Sequence, residues 1–92
     1  MLKVEFTGQF KRDYKLALKR GCDRRKMDEV IRLLCSGQPL PENCRDHALT
    51  NSRNYVDMRE CHIEPDWLLV YKIYRDVLVL SLIRTGTHSD LF

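Results

Sequence analysis

Val77-Leu78-Val79-Leu80-Ser81-Leu82-Ile83 is a run in which both alternating sets of positions are apolar, broken only by Ser81. A strand with one wet face alternates polar and apolar residues. This run therefore predicts a strand in the middle of a sheet that carries helices on one side. Upstream of it, Arg75-Asp76 marks a tight turn and Trp67 to Tyr74 a second strand; Pro65-Asp66 marks another turn and Tyr55 to His62 a third strand. Short connections join neighbouring strands antiparallel, which makes a three-strand meander. Farther upstream, residues 38–54 carry two prolines and the polar string Glu42-Asn43-Cys44-Arg45-Asp46-His47. That composition predicts a long connecting loop, where small domains often keep functional residues.

Two helices precede the loop. Thr7 can cap the first, whose apolar stripe is Phe10, Tyr14, Ala17 and Leu18, with Gly21 closing it. Asp23 caps the second, with Met27, Val30, Ile31 and Leu34 on its buried side, and Gly37 ahead of Pro39 ends it. A turn around Gly21 makes the pair an antiparallel hairpin. Leu2, Val4 and Phe6 alternate with polar residues as a short opening strand. The order strand, helix, helix, three strands gives an α+β fold: an antiparallel β-sheet packed with an N-terminal two-helix hairpin.

With 92 residues the chain is one small domain, residues 1–92. Such a domain buries only about 60 to 65% of its unfolded surface, so a large cofactor has nowhere to sit and none is expected. Sixteen Lys and Arg stand against thirteen Asp and Glu, a net +3, and residues 1–32 hold ten of the basic and five of the acidic side chains. On the first helix Lys11, Arg12, Lys15 and Lys19 lie away from the apolar stripe, a pattern that suits either a polyanion such as nucleic acid or a plain solvated face. No stretch nears the ~20 apolar residues of a membrane span, and the first residues lack the apolar core of a signal peptide. A cytoplasmic protein without membrane contact is expected. Cys22, Cys35, Cys44 and Cys61 form no C-x-x-C pair, which favours reduced structural thiols over a disulfide or zinc framework.

Three histidines fall at element ends: His47 in the loop, His62 at the end of a strand and His88 in the tail. Asp46 precedes His47, Glu60 lies two before His62, and Asp66 follows it at the turn. Carboxylates beside imidazoles hold a tautomer and tune it for acid and base work. Asp66 could equally do no more than fix its turn by bonding to backbone. Imidazole and carboxylate can also ligate zinc or another divalent ion, but spacings of 15 and 26 between the histidines match no metal motif, so no metal is expected.

Three strings carry a family likeness: Arg45-Asp46-His47-Ala48-Leu49; Arg59-Glu60-Cys61-His62-Ile63-Glu64-Pro65-Asp66-Trp67-Leu68-Leu69-Val70-Tyr71-Lys72; and Arg84-Thr85-Gly86-Thr87-His88-Ser89-Asp90-Leu91-Phe92. They closely resemble the YafQ branch of the RelE-type toxins of bacterial toxin–antitoxin systems. The resemblance covers the whole chain in element order and is densest in its C-terminal half. It implies an mRNA endoribonuclease that acts in the ribosomal A site and is held inactive by a cognate antitoxin, with operator DNA reached only through that antitoxin. By motif position His47, His62, Asp66, His88 and Phe92 match residues the family uses for cleavage and substrate placement. Glu60 stands where relatives often have Asp, which keeps the charge on a longer side chain. Between Leu49 and Tyr55 the chain reads Thr50-Asn51-Ser52-Arg53-Asn54, where relatives carry a shorter segment with Gly and Trp, so His47 and His62 stand farther apart in sequence.

The chemistry fits those residue types. RNA cleavage without a metal uses the 2′-hydroxyl as internal nucleophile, so an enzyme must remove its proton, protonate the departing 5′-oxygen and stabilise charge on the phosphate. His88 is expected as the acid, and His62 with Asp66 as base or orienter. Arg59 or Arg84 would hold the phosphate, Phe92 would stack on a codon base, and Lys11, Arg12, Lys15 and Lys19 would hold ribosomal RNA by its phosphates. The competing reading is a non-catalytic module of the same fold that binds nucleic acid or a partner in a repressor complex. Such a module has no need of imidazoles grouped with carboxylates.

Overall fold

The computed structural model describes residues 1–50 and 53–92; Asn51 and Ser52, in the segment that lengthens the spacing from His47 to His62, lie outside the described residues. Strand β1 (Lys3–Phe6) leads into helix α1 (Gly8–Lys19), and α2 (Arg24–Ser36) follows. A 3-10 turn at Glu42–Cys44 precedes the two-residue strand β2 (His47–Ala48), then β3 (Arg59–Glu64), β4 (Trp67–Tyr74), β5 (Val79–Gly86) and the short helix α3 (His88–Leu91). The helix ends are set by local chemistry. Thr7 Oγ1 accepts the Phe10 N–H at 3.2 Å and donates to the Leu82 carbonyl at 2.8 Å, so one hydroxyl starts α1 and pins it to β5. Asp23 accepts the Arg25 N–H at 2.9 Å, and Gly37, left-handed at φ 74°, ends α2.

The strands lie in the order β1-β5-β4-β3-β2. From β2 to β5 every neighbour is antiparallel, as the meander requires. The opening strand departs from the expected antiparallel sheet: β1 runs parallel to β5, from Lys3 opposite Val79 to Phe6 opposite Leu82. A parallel pair needs a long crossover, and both helices and the rest of the sheet lie between these strands in sequence. Residues Phe10, Ala17, Met27, Val30 and Leu34 of the helices bury one sheet face against Trp67, Leu69, Tyr71, Leu80 and Leu82. The opposite face carries a smaller cluster of Tyr55, Leu68, Val70 and Leu91. Both faces of β4 and β5 are thus covered, which is why the 77–83 run shows no polar alternation.

Several boundaries differ from the sequence reading: the expected loop contains β2, β3 runs on to Glu64, and β5 runs on to Gly86. The turn before β5 extends through Val77 and Leu78, both exposed, with Leu78 left-handed at φ 54°. The Leu78 carbonyl then accepts the Lys3 N–H at 2.9 Å and begins the pairing of β1. Strand β3 begins at Arg59 and not at Tyr55, since Asp57 at φ 58° breaks any extended run there. Tyr55 is instead buried in the smaller cluster. The tail is not irregular: Thr87 and Asp90 form a reciprocal capping box that starts α3. All four cysteines are free, and burial pushes each thiol pKa up, most strongly at the fully buried Cys61. None has the depressed pKa of a nucleophilic thiolate. Among the described residues, no helix is long and apolar enough to cross a membrane.

Candidate active site

Strand register assembles the histidines. His47 on β2 lies opposite Glu60 on β3, Glu60 opposite Val70 on β4, and Val70 opposite Arg84 on β5. The next row holds His62, Leu68 and Gly86, and the chain leaves Gly86 directly into Thr87 and His88. Residues paired across strands project from the same face, so these two rows put His47, Glu60, His62 and the root of Arg84 on the face away from α1 and α2.

Glu60 is buried, and its Oε1 lies 3.7 Å from His47 Nε2 and 3.5 Å from His62 Nε2. Each imidazole is oriented from its other nitrogen, His47 Nδ1 to the Arg45 carbonyl at 2.6 Å and His62 Nδ1 to the Pro65 carbonyl at 3.2 Å. A backbone carbonyl can only accept, so Nδ1 carries hydrogen and Nε2 is the atom left to take up or release a proton beside Glu60. The Pro65-Asp66 turn serves two histidines at once. Its carbonyl holds His62, and Asp66 Oδ1 accepts the His88 N–H at 3.3 Å. His88 lies against Phe92 with ring centroids 5.1 Å apart, and Phe92 meets Tyr55 edge-on at 5.4 Å. Phe92 is 51% exposed whereas Leu91 is buried, so Leu91 packs into the smaller cluster while one side of the Phe92 ring faces solvent.

The two arginines part company. Arg84 Nε and Nη2 donate to the Asp13 carboxylate at 2.6 and 3.2 Å, and the same carboxylate accepts the Thr85 N–H at 3.2 Å. Because β1 pairs only as far as Leu82, the rest of β5 has an open edge, and Asp13 of α1 covers it while fixing Arg84. Two of the five guanidinium donors are thereby used, and Tyr55 also lies within hydrogen-bonding reach of the guanidinium. Arg59 is placed differently. Adjacent to Glu60 in sequence, it projects to the opposite face by strand alternation, where its Nε donates to Asp46 at 3.3 Å and Tyr71 donates to the same carboxylate. Burial first, then that Asp46 contact, pushes the Tyr71 phenol well above its ordinary pKa. Arg59 is therefore held by Asp46 on the face opposite Glu60.

Lys11, Arg12, Lys15 and Lys19 are exposed on α1. Arg12 bonds Gln9 at 3.1 Å, and among the described residues none of the four has a carboxylate partner within salt-bridge distance. Sequence reasoning missed Asp13, Tyr55 and Asp90. Besides Gln9 one turn back, the partners of Asp13 are Arg84 and Thr85, more than 70 positions away, and no local pattern announces those two. Asp90 had a readable signal, since Thr87-His88-Ser89-Asp90 has the spacing of a helix-starting capping box. Among the described residues, no group of three or more His, Cys, Asp or Glu side chains is arranged to hold a metal ion.

Comparison with known proteins agrees with this fold. The model of a family described as bacterial toxin of type II toxin–antitoxin system, YafQ, matches residues 2–92. The chain belongs to the YafQ toxin family. An mRNA interferase toxin YafQ of Escherichia coli BL21-DE3 is 42% identical over 90 residues, covering 97% of this chain and 94% of that protein. Among solved structures, a metal-bound toxin from Helicobacter pylori superposes with a TM-score of 0.93 at 40% identity, covering all of both chains. The YafQ chain of the E. coli DinJ-YafQ complex superposes at 0.87 with 41% identity, covering all of this chain and 99% of that one.

Proposed function

We propose that this YafQ-family toxin is an mRNA interferase, an endoribonuclease that cuts mRNA in the A site of the cytoplasmic ribosome and so inhibits translation. A cognate antitoxin would hold it inactive, as suggested by the DinJ-YafQ complex of its relative, and any contact with operator DNA would run through that antitoxin. The observation that carries the reading is the convergence of His47 and His62 on the buried Glu60, with His88 and the exposed Phe92 at the end of the same face. Proton transfer needs imidazoles fixed at one nitrogen and open at the other, and a mere binding module does not.

In this scheme His62, oriented by the Pro65 carbonyl and faced by Glu60, takes the proton of the 2′-hydroxyl at Nε2. The 2′-oxygen forms a bond to phosphorus, the P–O5′ bond breaks, and His88 gives its proton to the departing O5′. The products are a 2′,3′-cyclic phosphate and a 5′-hydroxyl. Arg84, aimed by Asp13, meets the charge that builds on the phosphate oxygens, and His47 supports Glu60 from the neighbouring strand. Asp66 acts through His88, whose backbone it holds.

Phe92 places the substrate by stacking. Base stacking on an aromatic ring contributes about 1–3 kcal/mol, so Phe92→Ala should lower cleavage roughly 5- to 150-fold. Its melting temperature should stay near wild type, because Leu91 does the packing; a large drop in melting temperature would return Phe92 to a structural role. The α1 cations would hold ribosomal RNA by its phosphates. Reversing Lys11, Arg12, Lys15 and Lys19 to glutamate should weaken ribosome binding and flatten its salt dependence, measured by co-sedimentation across a salt series. Binding equal to wild type at physiological salt would refute that role. Expression in bacteria followed by mapping of mRNA 5′ ends tests the function itself. New ends inside codons with growth arrest are expected, and harmless expression without new ends favours the non-catalytic module.

A further inference from the structure

Helix α3 has four residues, whereas isolated helices need roughly 12–15 to be even marginal in water, yet α3 carries His88. Asp66, which accepts the His88 N–H, and Tyr55, whose hydroxyl donates to the Leu91 carbonyl at 3.0 Å, hold its two ends, and Asp90 sets its first turn. One carboxylate oxygen, Oδ2, accepts the Thr87 N–H at 3.0 Å and Arg20 Nη1, at the end of α1, at 2.7 Å. The Asp90 N–H returns to Thr87 Oγ1 at 3.1 Å. A second observation is independent of these bonds. A Cβ at Gly86 would lie 3.0 Å from Asp90 Oδ2 and 3.1 Å from Asp90 Cβ, so the Asp90 side chain seats against the end of β5 only because that residue has no side chain. A cleft of about 160 Å³, lined by Asp13, Arg20, Arg84, Gly86 and Asp90, brings the two arginine–carboxylate pairs together between α1 and the sheet. The Thr87 N–H first, and Arg20 second, hold the Asp90 carboxyl down to about 2, so it is charged throughout the physiological range.

The geometry points to Asp90, held by Arg20, as the positioning residue for His88. It sets the direction of α3 and thereby aims the imidazole that leans on Phe92. This inference rests on the reading of His88 as proton donor. It also joins the two halves of the molecule, because the helix proposed to dock on ribosomal RNA braces the residue proposed to protonate the leaving group. The Arg20 and Asp90 side chains are 47% and 32% exposed, and pairs that exposed add little to stability. Removing the pair should therefore act on rate far more than on folding.

The test is Asp90→Ala in single-turnover cleavage of mRNA on programmed ribosomes, with the His88 Hε1 proton followed by NMR in the free protein. A displaced catalytic group costs about 10- to 100-fold in rate, so kcat should fall by that factor, while KM for the ribosome stays within about twofold. The His88 resonance should shift as the imidazole leaves the Phe92 ring. Arg20→Met, which leaves the sequence of α3 untouched, should shift the same resonance. Asp90→Glu should restore most of the rate, since glutamate closes a capping box equally well. An unmoved His88 resonance in both Asp90→Ala and Arg20→Met overturns the proposal whatever the rate. If the wild-type protein leaves mRNA intact, the cleavage reading fails on its own, and the resonance still decides the positioning role.

Discussion

His88→Gln is expected to cut ribosome-bound mRNA about 10²- to 10⁴-fold more slowly than wild type, the usual contribution of a positioned acid or base. The size follows from what remains. Glu60, His47 and His62 sit on strands, and Arg84 is fixed by Asp13, so base and phosphate contacts survive the substitution. What is lost is the proton for O5′, which glutamine cannot supply. The fold should be unaffected, because the capping box of Thr87 and Asp90 and the buried Leu91 hold α3, and the imidazole lies against the exposed Phe92. Single-turnover cleavage with a melting curve on the same preparation checks both statements. A rate near wild type would remove His88 from the chemistry.

Phe10→Ala should have the largest effect on stability. Phe10 is fully buried, stacks on Tyr14 at 5.5 Å and joins the helices to β5 through the main core cluster. Removing a buried aromatic ring costs about 3–5 kcal/mol, against a total of about 5–15 kcal/mol for a domain of ordinary stability. At roughly 4–8 °C per kcal/mol for a domain of this size, the melting temperature should fall by roughly 12–40 °C, measured by circular dichroism. A fall of less than about 5 °C would show that the α1 anchor lies elsewhere.

Much of the fold could be read from local chemistry. Thr7, Asp23 and Gly37 announce the ends of α1 and α2, because caps are satisfied within a few residues. The 77–83 run announces a doubly covered strand. What could not be read depends on distant partners. The parallel pairing of β1 with β5 joins residues more than 70 positions apart, and Val77 and Leu78 look like strand although they form the turn. The site divides the same way. Glu60 meets His62 and also His47, but Asp46 turns to Arg59 and Tyr71, and Asp66 meets the backbone of His88 and not the His62 ring. Arg59 misled because adjacency along a strand places a side chain on the opposite face, and Asp13 stayed hidden because nothing near it in sequence names Arg84.

The direct test of the account is an mRNA carrying a single 2′-deoxynucleotide at the cleaved position, presented to the wild-type toxin on the ribosome. If the His62, Glu60 and His88 face drives attack by the 2′-oxygen, that mRNA stays intact at the substituted position, while the all-ribose mRNA yields a 2′,3′-cyclic phosphate and a 5′-hydroxyl. Cleavage of the deoxy-substituted position at the all-ribose rate would contradict it.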